Sequence, residues 1–239
     1  MGKALLGIAF SFLFVSLLAP AVAFAKPINI GKLPYVITMP GQYTLSKSIV
    51  MTTSNDGITI NADNVTLDMA GNGITAFATA PANVGINIGD HTGVKVMNGF
   101  ITGFANNGIK AGNTQNLSVT NMDIFSNNGD GIYLSSTNSS CTKITDCTVH
   151  NNVAGIGING FANRVSGCTV NNNTGFGIFI SNGYVSGNVA CHNGSGISGG
   201  AGIKAGDNCL VEGNVCYGNF PDFDINAGAT KGLNYPVTP

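Results

Sequence analysis

Charged side chains are scarce in this chain: 10 Lys and Arg and 11 Asp and Glu among 239 residues, 9% of the whole, where an ordinary soluble domain carries roughly a quarter. That scarcity argues against a helical protein of this size, whose solvent faces would need many more Lys and Glu. The two signs nearly cancel, leaving a net charge of −1. No field of the whole molecule therefore attracts nucleic acid, and nucleic-acid partners are set aside. Tryptophan is absent, which leaves Tyr and Phe as the aromatic side chains. Past residue 25 no apolar run approaches the roughly 20 residues that cross a bilayer, so no membrane span is expected there. Low charge does not mean disorder, because 44% of residues are hydrophobic and fall in regular columns that can form a core.

What the chain has in place of charge is repetition. A Gly-Ile pair returns at Gly85-Ile86, Gly108-Ile109, Gly131-Ile132, Gly155-Ile156, Gly177-Ile178 and Gly202-Ile203, at intervals of 23, 23, 24, 22 and 25 residues. A period in the twenties without a helical pattern means that each unit buries its apolar side against copies of itself, as in a solenoid. Aligned on Gly-Ile, each unit opens with an alternating triplet such as Ile109-Lys110-Ala111 or Ile132-Tyr133-Leu134, the mark of a strand with one buried face. A second strand follows at Leu117-Ser118-Val119, Lys143-Ile144, Arg164-Val165 and Tyr184-Val185. A third places Ile124, Val149, Val170, Ala190 and Cys216 in one inward column. Three short strands per turn describe an all-β, single-domain parallel β-helix of about seven to eight coils. Asn127, Asn152, Asn173, Asn193 and Asn219 share a column just after the third strand, where amides spaced by one rung, roughly 4.8 Å, can bond from coil to coil.

Residues 1–25 read as a secretory signal peptide, with Lys3, an apolar run from Ala4 to Leu18 and Ala23-Phe24-Ala25 as a small-x-small cleavage signal. Residues 26–56 read as an N-terminal cap over the open end of the helix, 57–226 as the β-helix and 227–239 as a C-terminal tail. The mature chain is expected outside the cytoplasm, secreted or periplasmic.

The run Asp56-Gly57-Ile58-Thr59-Ile60-Asn61-Ala62-Asp63-Asn64-Val65-Thr66-Leu67-Asp68, the Gly71-Asn72-Gly73-Ile74 turn and the Asn-Gly-Ile coils that follow carry a resemblance. The chain resembles the right-handed parallel β-helix repeat proteins of the pectate-lyase-like superfold, a group that also holds periplasmic β-helix proteins of the nitrous-oxide-reductase maturation type. Phe223-Asp224-Ile225-Asn226-Ala227-Gly228 resembles the end of many secreted members. The resemblance implies a right-handed coil and a secreted protein that meets polysaccharide, as lyase, hydrolase, epimerase or binder. Its motifs describe coils and turns and name no reaction.

Outward columns are where chemistry would sit. On the first strand the column runs Asn87, Lys110, Tyr133, Gly157, Phe179 and Lys204. It shows no carboxylate and no Asp-Pro-His-Asp signature of uronate epimerases, although Tyr133 and Phe179 can offer ring faces to a sugar. On the second strand it runs Lys95, Ser118, Lys143, Arg164, Tyr184 and Leu210. Like charges on neighbouring rungs repel mildly, so Lys143 beside Arg164 invites an anionic partner such as a uronate, and Lys95, Lys143, Arg164 and Tyr184 are the expected substrate-binding residues. Glycoside hydrolysis wants two carboxyl groups roughly 5 to 9.5 Å apart, and lyase or epimerase chemistry wants a base beside groups that neutralise the uronate. Asp123 and Asp146, on adjacent coils near Lys143 and Arg164, are the candidate catalytic pair, although an Asp in a turn more often caps the local backbone. The loop from Ser135 to Thr142 could wall the Lys143 strip, and Ala76 to Val84 is the other long loop.

His91, His150 and His192 show no metal spacing and are expected as solvent-exposed bystanders, with neither metal nor cofactor bound. Six cysteines in an exported chain suggest disulfides. Only Cys147 and Cys168, at one inward position on consecutive coils, fall close enough to bridge, and at most one or two bridges are expected. The sum is a secreted, non-catalytic β-helix that binds glycan or serves as a surface module, its basic strip suited to acidic polysaccharide. The alternative is a small polysaccharide lyase, epimerase or hydrolase of the same superfold.

Overall fold

The computed structural model describes residues 26–77, 83–195 and 200–236, so the leader and the middle of the Ala76–Val84 loop lie outside the described residues. Every element among them is a short strand, and every pairing between strands is parallel. Three sheets run the length of a right-handed solenoid. The first holds nine rungs, from Tyr35–Ile37 and Ile58–Ile60 through Ile156–Ile158 to Phe223–Ile225. That makes eight full turns and the start of a ninth. The second passes through Val65–Asp68, Lys143–Thr145 and Asn163–Ser166. The third passes through Gly73–Thr75, Thr148–His150 and Val189–Cys191.

Inward residues alternate along each rung and are wholly buried, as in Ile86, Ile109, Ile132, Ile156 and Ile178 on the first sheet. A column of like residues in register lets each β-branched side chain pack on its copies above and below. The recurring glycine before each isoleucine has a steric cause. A Cβ built on Gly155 would run into the carbonyl oxygen of Gly177 and the side chain of Val170, and one on Gly108 would meet Ile124 and the Asn127 amide. Glycine there lets successive coils and the asparagine amides approach closely.

The asparagine column is a ladder. Asn127 Nδ2 donates to Asn152 Oδ1 at 3.0 Å, Asn173 Nδ2 to Asn193 Oδ1 at 2.9 Å and Asn193 Nδ2 to Asn219 Oδ1 at 3.0 Å. The Asp222 carboxylate accepts from Asn219 and ends the run, having no N–H to pass on. A second ladder stands at the turn between the second and third sheets, through Asn188, Asn214 and Asn234.

Cys147 and Cys168 open that second column as expected, yet no bridge forms and all six cysteines are free. Their thiols donate instead to carbonyls two residues back, Cys147 to Thr145 at 3.2 Å and Cys168 to Ser166 at 3.5 Å. Burial and then the nearby Asp222 push the Cys216 thiol up to about 12, so it is an inert core group. The segment read as a cap supplies Ile28–Ile30, Tyr35–Ile37, Gly41–Leu45 and Ile49–Val50 to the sheets. The segment read as a tail supplies Thr230–Lys231 and Tyr235–Pro236.

Candidate functional site

The outer face of the second sheet carries Lys95, Ser118, Lys143, Arg164 and Tyr184 in direct register. Lys95, Lys143 and Arg164 are exposed and Tyr184 is partly covered. Rotation relieves the repulsion expected between Lys143 and Arg164. The Arg164 guanidinium lies over the Tyr184 ring, 4.9 Å from its centroid, and its Nε donates to Ser166 Oγ at 3.3 Å. Tyr184 Oη in turn donates to Glu212 Oε1 at 2.6 Å. Tyr184 and Glu212 border an open hollow of about 450 Å³ that Leu233 and Tyr235 line from the last coil. Among the described residues, none of Lys95, Lys143 and Arg164 makes an ion pair, whereas Lys204 on the first sheet is tied to Asp224 at 2.7 Å.

Asp123 and Asp146 line one open depression of about 460 Å³, together with Asn98, Asn121 and Phe100. The depression does not include Lys143 or Arg164. The structure thus brings the two carboxylates together and leaves the cations beyond the turn, on the second sheet. Asp146 sits at the turn itself with φ 54°, a left-handed conformation that Asp tolerates. Asp123 is on the third sheet with its Oδ1 3.3 Å from His150 Nε2. Asn151 Nδ2 donates to His150 Nδ1 at 3.0 Å, so the network assigns the neutral ring's proton to Nε2, facing Asp123. His150 also stacks on Phe125, centroids 5.0 Å apart and planes 3° from parallel. His91 Nδ1 likewise lies 3.1 Å from Asp63 Oδ1. Two of the three histidines expected as bystanders are therefore partnered across coils. No cluster of three or more His, Cys, Asp or Glu that could hold a metal occurs among the described residues.

The Ser135–Thr142 loop folds down into the corner between the first and second sheets. Ser139 Oγ donates to Gly112 O at 2.9 Å, and Ser140 pairs in a bridge with Gln115 on one side and Phe161 on the other. Five residues lie between Leu134 and Ser140 where three lie between Ala111 and Gln115, so the loop swells the corner without rising as a high wall beside Lys143.

On the first sheet the outward column follows the expected order and then continues to Asp224, which supplies the carboxylate that the shorter reading lacked. Phe176 leans over Gly157, where Tyr133 also comes within 3.4 Å of a built Cβ, and Phe176 meets Phe179 at 5.7 Å. Sequence reading missed Asp130, which stands one residue before Gly131 in the column of Ala154 and Phe176. Burial holds its carboxyl above the usual range. Its signal in the sequence was a carboxylate directly before a Gly-Ile pair, a position that Asp56 also holds before Gly57-Ile58.

The family described as right handed beta helix region matches residues 36–189. The chain belongs to this family. Comparison with curated proteins finds no match. Among solved structures, pectate lyase Pel9A is similar with a TM-score of 0.51 and 18% identity, over 84% of this chain and 62% of that one. The chain thus spans less than two thirds of that enzyme, and the likeness is one of fold. An alginate lyase from Paenibacillus sp. str. FPU-7 gives 0.49 and 13%, over 77% of this chain and 89% of that one. The Dettilon tailspike protein gives 0.41 and 13%, over 83% and 61%. No helix among the described residues is long and apolar enough to cross a membrane.

Proposed function

We propose that this chain is an exported, non-catalytic β-helix whose second sheet binds an acidic polysaccharide. The observation that carries the reading is the column of Lys95, Lys143 and Arg164, exposed and free of ion pairs among the described residues, in a chain with so few charges. Rungs advance by roughly 4.8 Å, so a polyanion lying along the solenoid axis meets a cation on successive rungs at Lys143 and Arg164 and another two rungs back at Lys95. Stacking on Tyr184 holds the Arg164 guanidinium in place, and a pre-positioned fork takes a carboxylate at lower entropic cost than a free side chain. Export follows from the leader read in residues 1–25. Pectate, the polymer named for the structural neighbour Pel9A, is of the proposed chemical class.

The test takes the chain from Lys26 onward with polyuronates and with uncharged polysaccharides, and follows binding by co-sedimentation. Retention by polyuronate alone is expected, and it should weaken at about 0.15 M salt or more, where screening shortens to roughly 8 Å. Removing one exposed cation, as in Lys143→Ala, costs about 0.5–1 kcal/mol, a loss of roughly threefold in affinity. Binding unchanged by Lys143→Ala and Arg164→Ala together would sink the assignment.

A second reading rests on the depression that holds Asp123 and Asp146: a polysaccharide-cleaving enzyme that uses those carboxyls. Chain shortening or new unsaturated ends in the same incubations, abolished by Asp146→Asn, would establish it over the binding reading.

A further inference from the structure

The two ends of the solenoid differ in charge and agree in what they leave open. At the N-terminal end Ile28–Ile30, Tyr35–Ile37 and Ile49–Val50 each pair on one side only among the described residues, one strand for each sheet. At the other end Phe223–Ile225, Thr230–Lys231 and Tyr235–Pro236 do the same. Residues 26–55 contain Lys26, Lys32 and Lys47 and no acid, a charge of +3. Residues 203–239 contain Asp207, Glu212, Asp222 and Asp224 against Lys204 and Lys231, 2 − 4 = −2, with Lys204 paired to Asp224. Apolar exposure is concentrated at the same two places. Of ten large hydrophobic side chains exposed among the described residues, Ile28, Val36, Met39 and Val50 belong to the first coil, and Phe220, Leu233 and Tyr235 to the last.

We infer that these ends dock head to tail, the last coil of one copy against the first coil of a second copy of this chain. All strands run parallel, so stacking a C-terminal edge on an N-terminal edge continues the parallel pattern through the junction, whereas two like ends would meet antiparallel. Lysine at an edge is a usual means of preventing pairing, and it does so here between like ends, where +3 meets +3 and −2 meets −2. Between unlike ends the same charges attract. The contact joins different surfaces of the two copies and does not close on itself, so it builds short linear chains.

The experiment is sedimentation velocity of the chain from Lys26 onward, which holds every strand among the described residues, over a range of concentrations at low and high salt. The expected result is a mass that grows with concentration at low salt and falls as salt is added. Lys32→Glu with Lys47→Glu should return the chain to monomer, as should Asp207→Lys with Asp224→Lys. A mixture of those two double variants should associate again, and so should one chain carrying all four changes, since each restores opposite ends. Circular dichroism melting of each variant separates loss of docking from loss of fold. A wild-type chain that stays monomeric at low salt overturns the inference. Association that survives both end reversals also overturns it and assigns the contact to a lateral face.

Discussion

Two corners of the solenoid solve one problem in different ways. Where the third sheet turns into the first, buried amides bond to the coils on either side. Asn173 shows the pattern: its Oδ1 accepts from the backbone N–H of Asn152 at 2.9 Å, and its Nδ2 donates to Val149 O at 3.2 Å and Asn193 Oδ1 at 2.9 Å. Where the first sheet turns into the second, the outer side is held by carboxylates. Asp63 accepts from Thr92 N–H at 2.9 Å and Asp90 from Asn113 N–H at 2.7 Å. On its inner side lie buried polar groups only partly bonded, with Thr114 Oγ1, Thr142 Oγ1 and Asn163 Nδ2 lacking a partner. The first corner joins neutral amides along its length and meets a carboxylate only at its end, at Asp222. The second depends on ionised surface groups and carries an internal penalty, because a buried polar atom without a partner keeps its desolvation cost.

The largest effect should come from breaking the amide ladder. Asn173→Ala strands the Asn152 N–H and the Val149 carbonyl in the interior, and at about 1–3 kcal/mol for each such group the loss should reach about 3 kcal/mol or more. Denaturant unfolding reads it directly. A cost below about 1 kcal/mol would mean that neighbouring coils re-bond around the gap. At the other corner the sign reverses. Thr142 is wholly buried and its hydroxyl makes no bond, so Thr142→Val exchanges an unpaired oxygen for a methyl of similar shape and should stabilise by about 1 kcal/mol. A destabilised variant would show that the hydroxyl is bonded in solution.

The same contrast shows what the sequence makes legible. Columns of one residue type repeat at a fixed interval, so the first amide ladder, the inward isoleucines and the glycine ahead of each could be read from spacing alone. The second column could also be aligned, with Asn188 and Asn214 after Cys147 and Cys168, but its change of identity kept it from being read as a ladder, which Asn188, Asn214 and Asn234 form. The first and last coils depart from the repeat and still pair, since backbone hydrogen bonding in a stack is indifferent to side-chain identity. For the candidate site, the column of Lys95, Lys143, Arg164 and Tyr184 was legible to the residue. Its partnerships were not, because whether Arg164 repels Lys143 or turns onto Tyr184, and whether Asp123 is free or faces His150, depends on side-chain rotation between coils.

The smallest effect sharpens the comparison by pH. The Thr92 N–H, and after it His91, hold the Asp63 carboxyl below its ordinary value of 3.8. A carboxyl whose folded value is depressed favours the folded state while ionised. Its contribution is therefore complete above about 3.8 and is lost as pH falls from there through the lowered folded value. In the variant Asp63→Asn the side-chain amide would still accept from the Thr92 N–H but could not titrate. The acid side of its stability curve should accordingly be flatter than that of the parent chain, with little change near neutral pH. Asn173 bonds only to neutral groups, Asn152 N–H, Val149 O and Asn193 Oδ1, so Asn173→Ala should lower the whole curve without changing its slope in acid. Thermal melting of the parent chain and both variants, from neutral pH down to the acid limit of folding, tests the pair. Parallel acid limbs for Asp63→Asn and the parent would remove Asp63 as the acid-sensitive tie and leave the two corners alike in their response to pH.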